Sequence, residues 1–195
     1  MTVPTFPTGI VTSVERRLNV AAAAVQSPFT GTQDIQDWGG EWWEYSVNLI
    51  VRTGADGRSL SSFMTQLRGI VQPFLFDDTS LSQSGSYGTP LVDGDSQTGN
   101  TLVTDGWSAT GLKAGDFFSL GSDLDTRFYM LTADVVPSAG AATLEFVPAL
   151  RSSPADNDAL EVVSPKVLLR LTSPVPSQIS SGGLYRLNFT AREAI

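Results

Sequence analysis

From residue 14 onward apolar and polar positions alternate. Val14, Leu18, Val20 and Ala22 share one side with Arg16, while Glu15, Arg17 and Asn19 occupy the other, a period of two that predicts a half-buried strand. A second strand is expected over residues 29–35. Asp37-Trp38-Gly39-Gly40 then offers two glycines for the positive φ of a tight hairpin, so the turn is placed there. The returning strand alternates most clearly of all, with Trp43, Tyr45, Val47, Leu49 and Val51 on one face and Trp42, Glu44, Ser46 and Asn48 on the other. After Gly54 the period lengthens. Leu60, Phe63, Met64 and Leu67 have the i, i+3, i+4, i+7 spacing of a helix with one apolar face, capped by Ser59 or Asp56 and ended by Gly69. A strand over residues 71–76 follows, closed by Asp77-Asp78.

Residues 79–89 are rich in Ser, Gly and Thr and mark a subdomain boundary. Beyond them short strands at 91–92, 101–103, 116–120, 127–136, 142–147, 160–163 and 166–172 are each bounded by Gly, Pro, Asp or Asn, the spacing of a small barrel or sandwich. The clearest hairpin joins 127–136 to 142–147 through Pro137-Ser138-Ala139-Gly140. The last strand, with Tyr185, Leu187 and Phe189 inward, follows Gly182-Gly183 and has no sequence neighbour to pair with, so it is expected to rejoin the N-terminal sheet. The expected fold is therefore mainly β with one substantial helix. A β-sandwich-like domain of residues 1–78 with 183–195 carries an inserted small, OB-like β-barrel over 89–172, between Phe76 and Leu184. Residues 1–12 read as an extended arm suited to docking on a neighbouring subunit.

Composition narrows the chemistry. The 195 residues include no His and no Cys, which excludes Ser-His-Asp and Cys-His catalysis, haem and iron–sulfur ligation and ordinary zinc sites. The acidic pairs Asp77-Asp78, Asp93/Asp95, Asp123/Asp125 and Asp156/Asp158 have the spacing of oxygen ligands for Ca²⁺, but none opens a twelve-residue loop ending in Glu, and Asp at such places initiates turns. Glu41 and Glu44 flank tryptophans as in sugar sites, yet three residues apart on a strand they face opposite ways. Lys113 lies in a turn rather than beside a nucleophilic serine, and Asn188-Phe189-Thr190 matches a glycosylation acceptor inside a strand. No catalytic residue, metal or cofactor is expected, and the chain is not read as an enzyme. A net charge of −8 with only two lysines disfavours nucleic acid as a partner. It would suit a lumen through which DNA slides without sticking. Residues 1–10 have two prolines and no basic start, so no secretion signal is expected, and the apolar patch 20–25 is far too short to span a membrane.

The aromatic cluster is the most informative feature. Trp43 and Tyr45 belong to the core side, which leaves Trp42 outward beside Glu44 and Asn48. Trp38, Trp42, Glu44, Arg16 and Arg17 are the candidate subunit interface, since Trp is enriched at such contacts. The alternative is a glycan-binding module using Trp42 or Trp107 as a stacking platform.

Several segments resemble tail-tip proteins of long-tailed phages and gene transfer agents. They are Ser27-Pro28-Phe29-Thr30-Gly31-Thr32-Gln33 followed by Trp38 and Trp42, then Leu67-Arg68-Gly69 and Phe74-Leu75-Phe76-Asp77. In the second half, Gly88-Thr89-Pro90-Leu91-Val92-Asp93-Gly94, Leu112-Lys113-Ala114-Gly115-Asp116, Pro148-Ala149-Leu150-Arg151 and Gly183-Leu184-Tyr185 occur in the same order. The chain resembles the siphophage distal tail protein family. The resemblance implies a virion structural protein of the tail tip or baseplate, assembled in the host cytoplasm. It also implies a homohexameric ring between the tail tube protein and the hub and adhesion proteins, with the barrel projecting outward.

Overall fold

The computed structural model describes residues 3–7, 11–51, 54–176, 178–179 and 185–195. The expected glycines 182 and 183, and Leu184, lie outside the described residues, as does part of the 1–12 arm. The chain opens with strands β1 (Val11–Gln26) and β2 (Gln33–Val51), helix α1 (Gly54–Gln66) and β3 (Phe74–Asp77). Six short strands follow: β4 (Gly88–Val92), β5 (Thr101–Trp107), β6 (Phe117–Leu120), β7 (Arg127–Leu131), β8 (Ala142–Val147) and β9 (Leu160–Glu161). The chain ends with β10 (Lys166–Leu171), β11 (Gln178–Ile179) and β12 (Tyr185–Glu193).

The structure is mainly β, in two sheets. One runs β1-β2-β12-β10-β3, with β11 on the side of β12. The other runs β4-β5-β8-β7-β6-β9. A bridge from Leu91 to Ala159, with Val92 N–H to the Asp158 carbonyl at 2.9 Å, brings its first strand against its last and nearly closes a six-stranded barrel. The terminal strand rejoins the first sheet, Tyr185 opposite Val51 and Arg192 opposite Glu44. Strand 166–172, expected in the barrel, belongs to the first sheet as well. Lys166–Leu169 pairs with Phe74–Asp77, and Leu169–Leu171 pairs with the end of β12. The insertion therefore begins and ends on neighbouring strands, and its strands stop at Glu161 rather than reaching 172.

The β2 alternation holds: Trp43, Tyr45, Val47, Leu49 and Val51 are all buried. They meet the helical stripe Leu60, Phe63, Met64 and Leu67, also buried, and Phe74, Phe76, Leu187 and Phe189 from the other strands. The helix starts at Gly54, so Ser59 and Asp56 are inside it rather than capping it, and Asp56 in the first turn complements the helix dipole. Its end comes earlier than expected: the helix stops at Gln66, Arg68 is the first left-handed residue at φ 53°, and Gly69 follows it at φ 67°. Ile70 and Val71 stay exposed, and β3 begins only at Phe74. The expected strand over 127–136 likewise stops at Leu131, and β8 pairs only with its end, Met130 to Val147 and Leu131 to Phe146.

The N-terminal segment that is described packs on its own chain instead of reaching out. Val3 and Phe6 are buried, Phe6 N–H donates to the Leu75 carbonyl at 2.8 Å, and Leu75 N–H returns to Pro4 at 2.9 Å. The reason is that Phe6 finds an aromatic pocket, with Phe63, Phe74, Phe76 and Phe189 rings 5.3 to 6.1 Å away.

Barrel and sheet meet across Trp43, whose ring is edge-on to Phe117 at 5.6 Å and Phe128 at 5.9 Å. Two ion pairs flank them. Arg16 binds Asp78, beneath the barrel's entry, and lies 5.1 Å from the Phe117 ring. Arg151, leaving the barrel, donates to Glu193 Oε2 at 2.6 Å and to the Glu41 carbonyl at 2.7 Å, and Trp43 N–H donates to the same Glu193 oxygen at 3.1 Å. The Glu193 side chain is 1% exposed, and burial pushes its carboxyl above the ordinary value, against the pull of Arg151 and the Trp43 N–H.

Candidate interaction surface

The hairpin turn is not at Asp37–Gly40. Residues 27–32 make it, with Ser27 N–H to the Thr32 carbonyl at 2.9 Å, Gly31 N–H to the Ser27 carbonyl at 3.0 Å, and Gly31 at φ 71°. The glycines at 39 and 40 sit within β2 at a bulge, where the pairing jumps from Val20–Glu41 to Ala22–Asp37 and Gly39 takes φ 70°. The outcome is a ribbon of 16 and 19 residues, against a usual strand of about 5–6. The third strand, β12, supports β2 only from Glu44 to Val51. Beyond that point β1 and β2 have only each other, and the ribbon exposes Val25 (70%), Phe29 (94%), Ile35 (65%) and Trp38 (64%). A two-stranded ribbon is marginal in water by itself, and so many large apolar side chains on one protrusion mark an interaction site.

At the base of the ribbon lies a polar cluster on the open face of the sheet. Glu44 accepts from Arg17 Nε at 3.1 Å and its terminal nitrogen at 2.6 Å, and from the Trp42 indole N–H at 3.2 Å. Those bonds, Arg17 first, hold the Glu44 carboxyl below its ordinary range. The Arg192 guanidinium lies over the Trp42 ring, 4.1 Å from its centroid. Thus Arg17, Trp42 and Glu44 come together as one patch. Trp38 is farther along the ribbon, and Arg16, one residue from Arg17, points through to the opposite side and binds Asp78, as strand alternation requires. Sequence reasoning missed Arg192. Its outward position follows from the alternation of Leu187, Phe189 and Ala191, but its place beside Trp42 depends on a register made across the fold.

Trp107 is no platform. It is 6% exposed inside the barrel, with its indole N–H on Thr104 Oγ1 at 2.8 Å, because barrel closure carries β5's inward positions into the core. Trp42 already has one ring face covered by Arg192, which leaves less of it for a sugar. Two of the acids serve local turns, Asp78 Oδ1 accepting from Ser80 N–H at 3.1 Å and Asp158 from Ala155 N–H at 2.8 Å, while Asp156 ties two loops by accepting from Gly94 N–H at 2.8 Å. Among the described residues no group of three or more acidic side chains is placed to hold a metal ion, and no helix is long and apolar enough to cross a membrane.

Charge is divided unevenly. Residues 79–165 carry eleven acidic and three basic side chains, and the rest of the chain nine of each. The net −8 is thus carried by residues 79–165. Compared with known proteins, the chain matches no family model and no curated sequence.

Proposed function

We propose that this chain is a non-catalytic structural subunit of a long-tailed phage tail tip, a distal tail protein. Copies of it form a ring, a hexamer by resemblance, between the tail tube and the hub proteins. The observation that carries the reading is the ribbon. Residues 20–40 form a protruding two-stranded extension with five large apolar side chains exposed, Val20, Val25, Phe29, Ile35 and Trp38, a form that gains stability against a partner. The patch of Trp42, Glu44, Arg17 and Arg192 adjoins it, with the aromatic and Arg composition favoured at subunit contacts. The resemblance of the Ser27–Gln33 segment falls on the tip of this same ribbon.

Light scattering of the purified chain across a concentration series tests this. A closed oligomer that Trp42→Ala weakens at least about tenfold, with the monomer fold intact, is the expected result. A monomer at every concentration, with or without purified tail tube protein, refutes it.

A further inference from the structure

The ribbon lies on β1 and β2, at one edge of the first sheet. At the other edge, beside β3 and β10, is a groove of about 370 Å³ between the end of α1, the N-terminal segment and the barrel's 3-10 turn at Asp123–Asp125. Pro4, Val71, Pro73 and Leu124 form its apolar walls, and Val71 and Leu124 are more than half exposed. Two arginines border it. Arg170 is fixed by donating to the Val71 carbonyl at 3.0 Å and the Ile70 carbonyl at 3.4 Å, and Arg68 stands in the left-handed region at φ 53° just past the helix. Of the nearby acids, Asp123 accepts from Val3 N–H at 3.3 Å and Asp125 is exposed.

The ribbon has the complementary character. Residues 20–40 contain Asp34 and Asp37 and no Lys or Arg, with Phe29 nearly fully exposed at the tip. Ribbon and groove lie on opposite edges of one sheet, four strand spacings or about 19 Å apart. A chain cannot readily fill its own groove, whereas a second copy can. On the reading that copies assemble, we infer that the ribbon of one copy docks in this groove of the next, Phe29 against Val71 and Leu124, with Asp34, the acid nearer the tip, toward Arg68 and Arg170 and Asp37 on the opposite face of the strand. Such a contact is head to tail, the kind that closes into a ring or continues as a filament.

The chain has no cysteine, so disulfide trapping reads this contact directly. Phe29→Cys protein is mixed with Val71→Cys protein under mild oxidation. As a control it is mixed with Val136→Cys protein, whose site is 76% exposed on the barrel. The expected result is cross-linking to Val71→Cys at least about tenfold faster than to Val136→Cys, because the docked pair is held at bonding distance. Arg68→Glu with Arg170→Glu raises the concentration needed for association about tenfold, and mixing that variant with Asp34→Lys protein restores it, whereas Asp37→Lys protein does not. Equal cross-linking rates, or charge reversal at the groove without effect, overturn the docking. If light scattering then still shows an oligomer, the ring reading stands and the ribbon docks elsewhere. If it shows a monomer, both fall.

Discussion

Replacing Arg151 with alanine removes the one cation that, among the described residues, is bonded to a carboxylate that is 1% exposed. It deletes the 2.6 Å bond to Glu193 and the 2.7 Å bond to the Glu41 carbonyl, and leaves the Trp43 N–H as the remaining donor to that carboxylate. Stripping one partner from a buried pair costs about 3–5 kcal/mol, a large share of the roughly 5–15 kcal/mol that holds a domain together. With a urea dependence of about 2–3 kcal/mol/M, the midpoint falls by about 1–2.5 M. The pH dependence fixes the cause. The folded carboxyl of Glu193 already titrates above its ordinary 4.5, so its favourable contribution is complete below that value and is lost as pH rises through the folded pKa. Without Arg151 the pKa rises further, so the deficit of the variant is greatest near neutrality and shrinks on acidification, when the stranded carboxylate takes up a proton. Adding Glu193→Gln to Arg151→Ala restores part of the loss at neutral pH. A cost below about 1 kcal/mol at neutral pH, or a deficit that grows as pH falls, refutes the argument.

Other expectations concern the barrel and its seam. Gly88 and Gly94 both have positive φ, 83° and 89°, but a Cβ on Gly88 meets the Gly106 carbonyl oxygen at 2.3 Å, while one on Gly94 has open space. Gly94→Ala should cost about 1–2 kcal/mol from its backbone conformation alone, and Gly88→Ala at least about 3 kcal/mol once overpacking is added. Thermal unfolding of the two variants compares them, and equal losses contradict the contact. Phe128→Ala opens a hole beside Phe117, stacked on it at 5.0 Å, and beside Trp43. It should cost about 3–5 kcal/mol and move tryptophan fluorescence to the red, whereas an unchanged spectrum would place Trp43 outside that seam.

What the sequence made legible is what depends on near neighbours. The faces of β2, the apolar stripe of α1 and the outward position of Trp42 follow from periods of two and 3.6 and appear as expected. Pairing choices depend on distant residues and were not legible. Ser27–Thr32 overlaps the segment that the local pattern reads as a strand, 29–35, and Asp37–Gly40 has the glycine pair of a hairpin turn. A register kept over almost the whole of β1 gave the turn to the first and made the second a bulge. Val167, Leu169 and Leu171 alternate like any barrel strand, and only their partners Phe76, Phe74 and Ala191 place them in the other sheet. In the candidate surface, Trp42, Glu44 and Arg17 were within reach of local reasoning, while Arg192 came from the far end of the chain. Trp107 shows the same limit, since alternation cannot say whether a sheet will curl around its own ring.

The adjacency of β3 and β10, with the barrel looped out between Asp77 and Lys166, bears on the order in which the protein is made. On a ribosome, β1, β2 and α1 emerge first, yet the strands that complete their layer, β10 and β12, come last. The barrel, whose strands all lie within residues 88–161, can finish folding while the earlier segment still waits with Tyr45, Leu49 and Phe63 uncovered. Sequence separation between partners is therefore greatest in the first sheet, and loop-closure entropy makes its assembly the slow step of maturation. A nascent chain stalled before Lys166 is the species most in need of a chaperone.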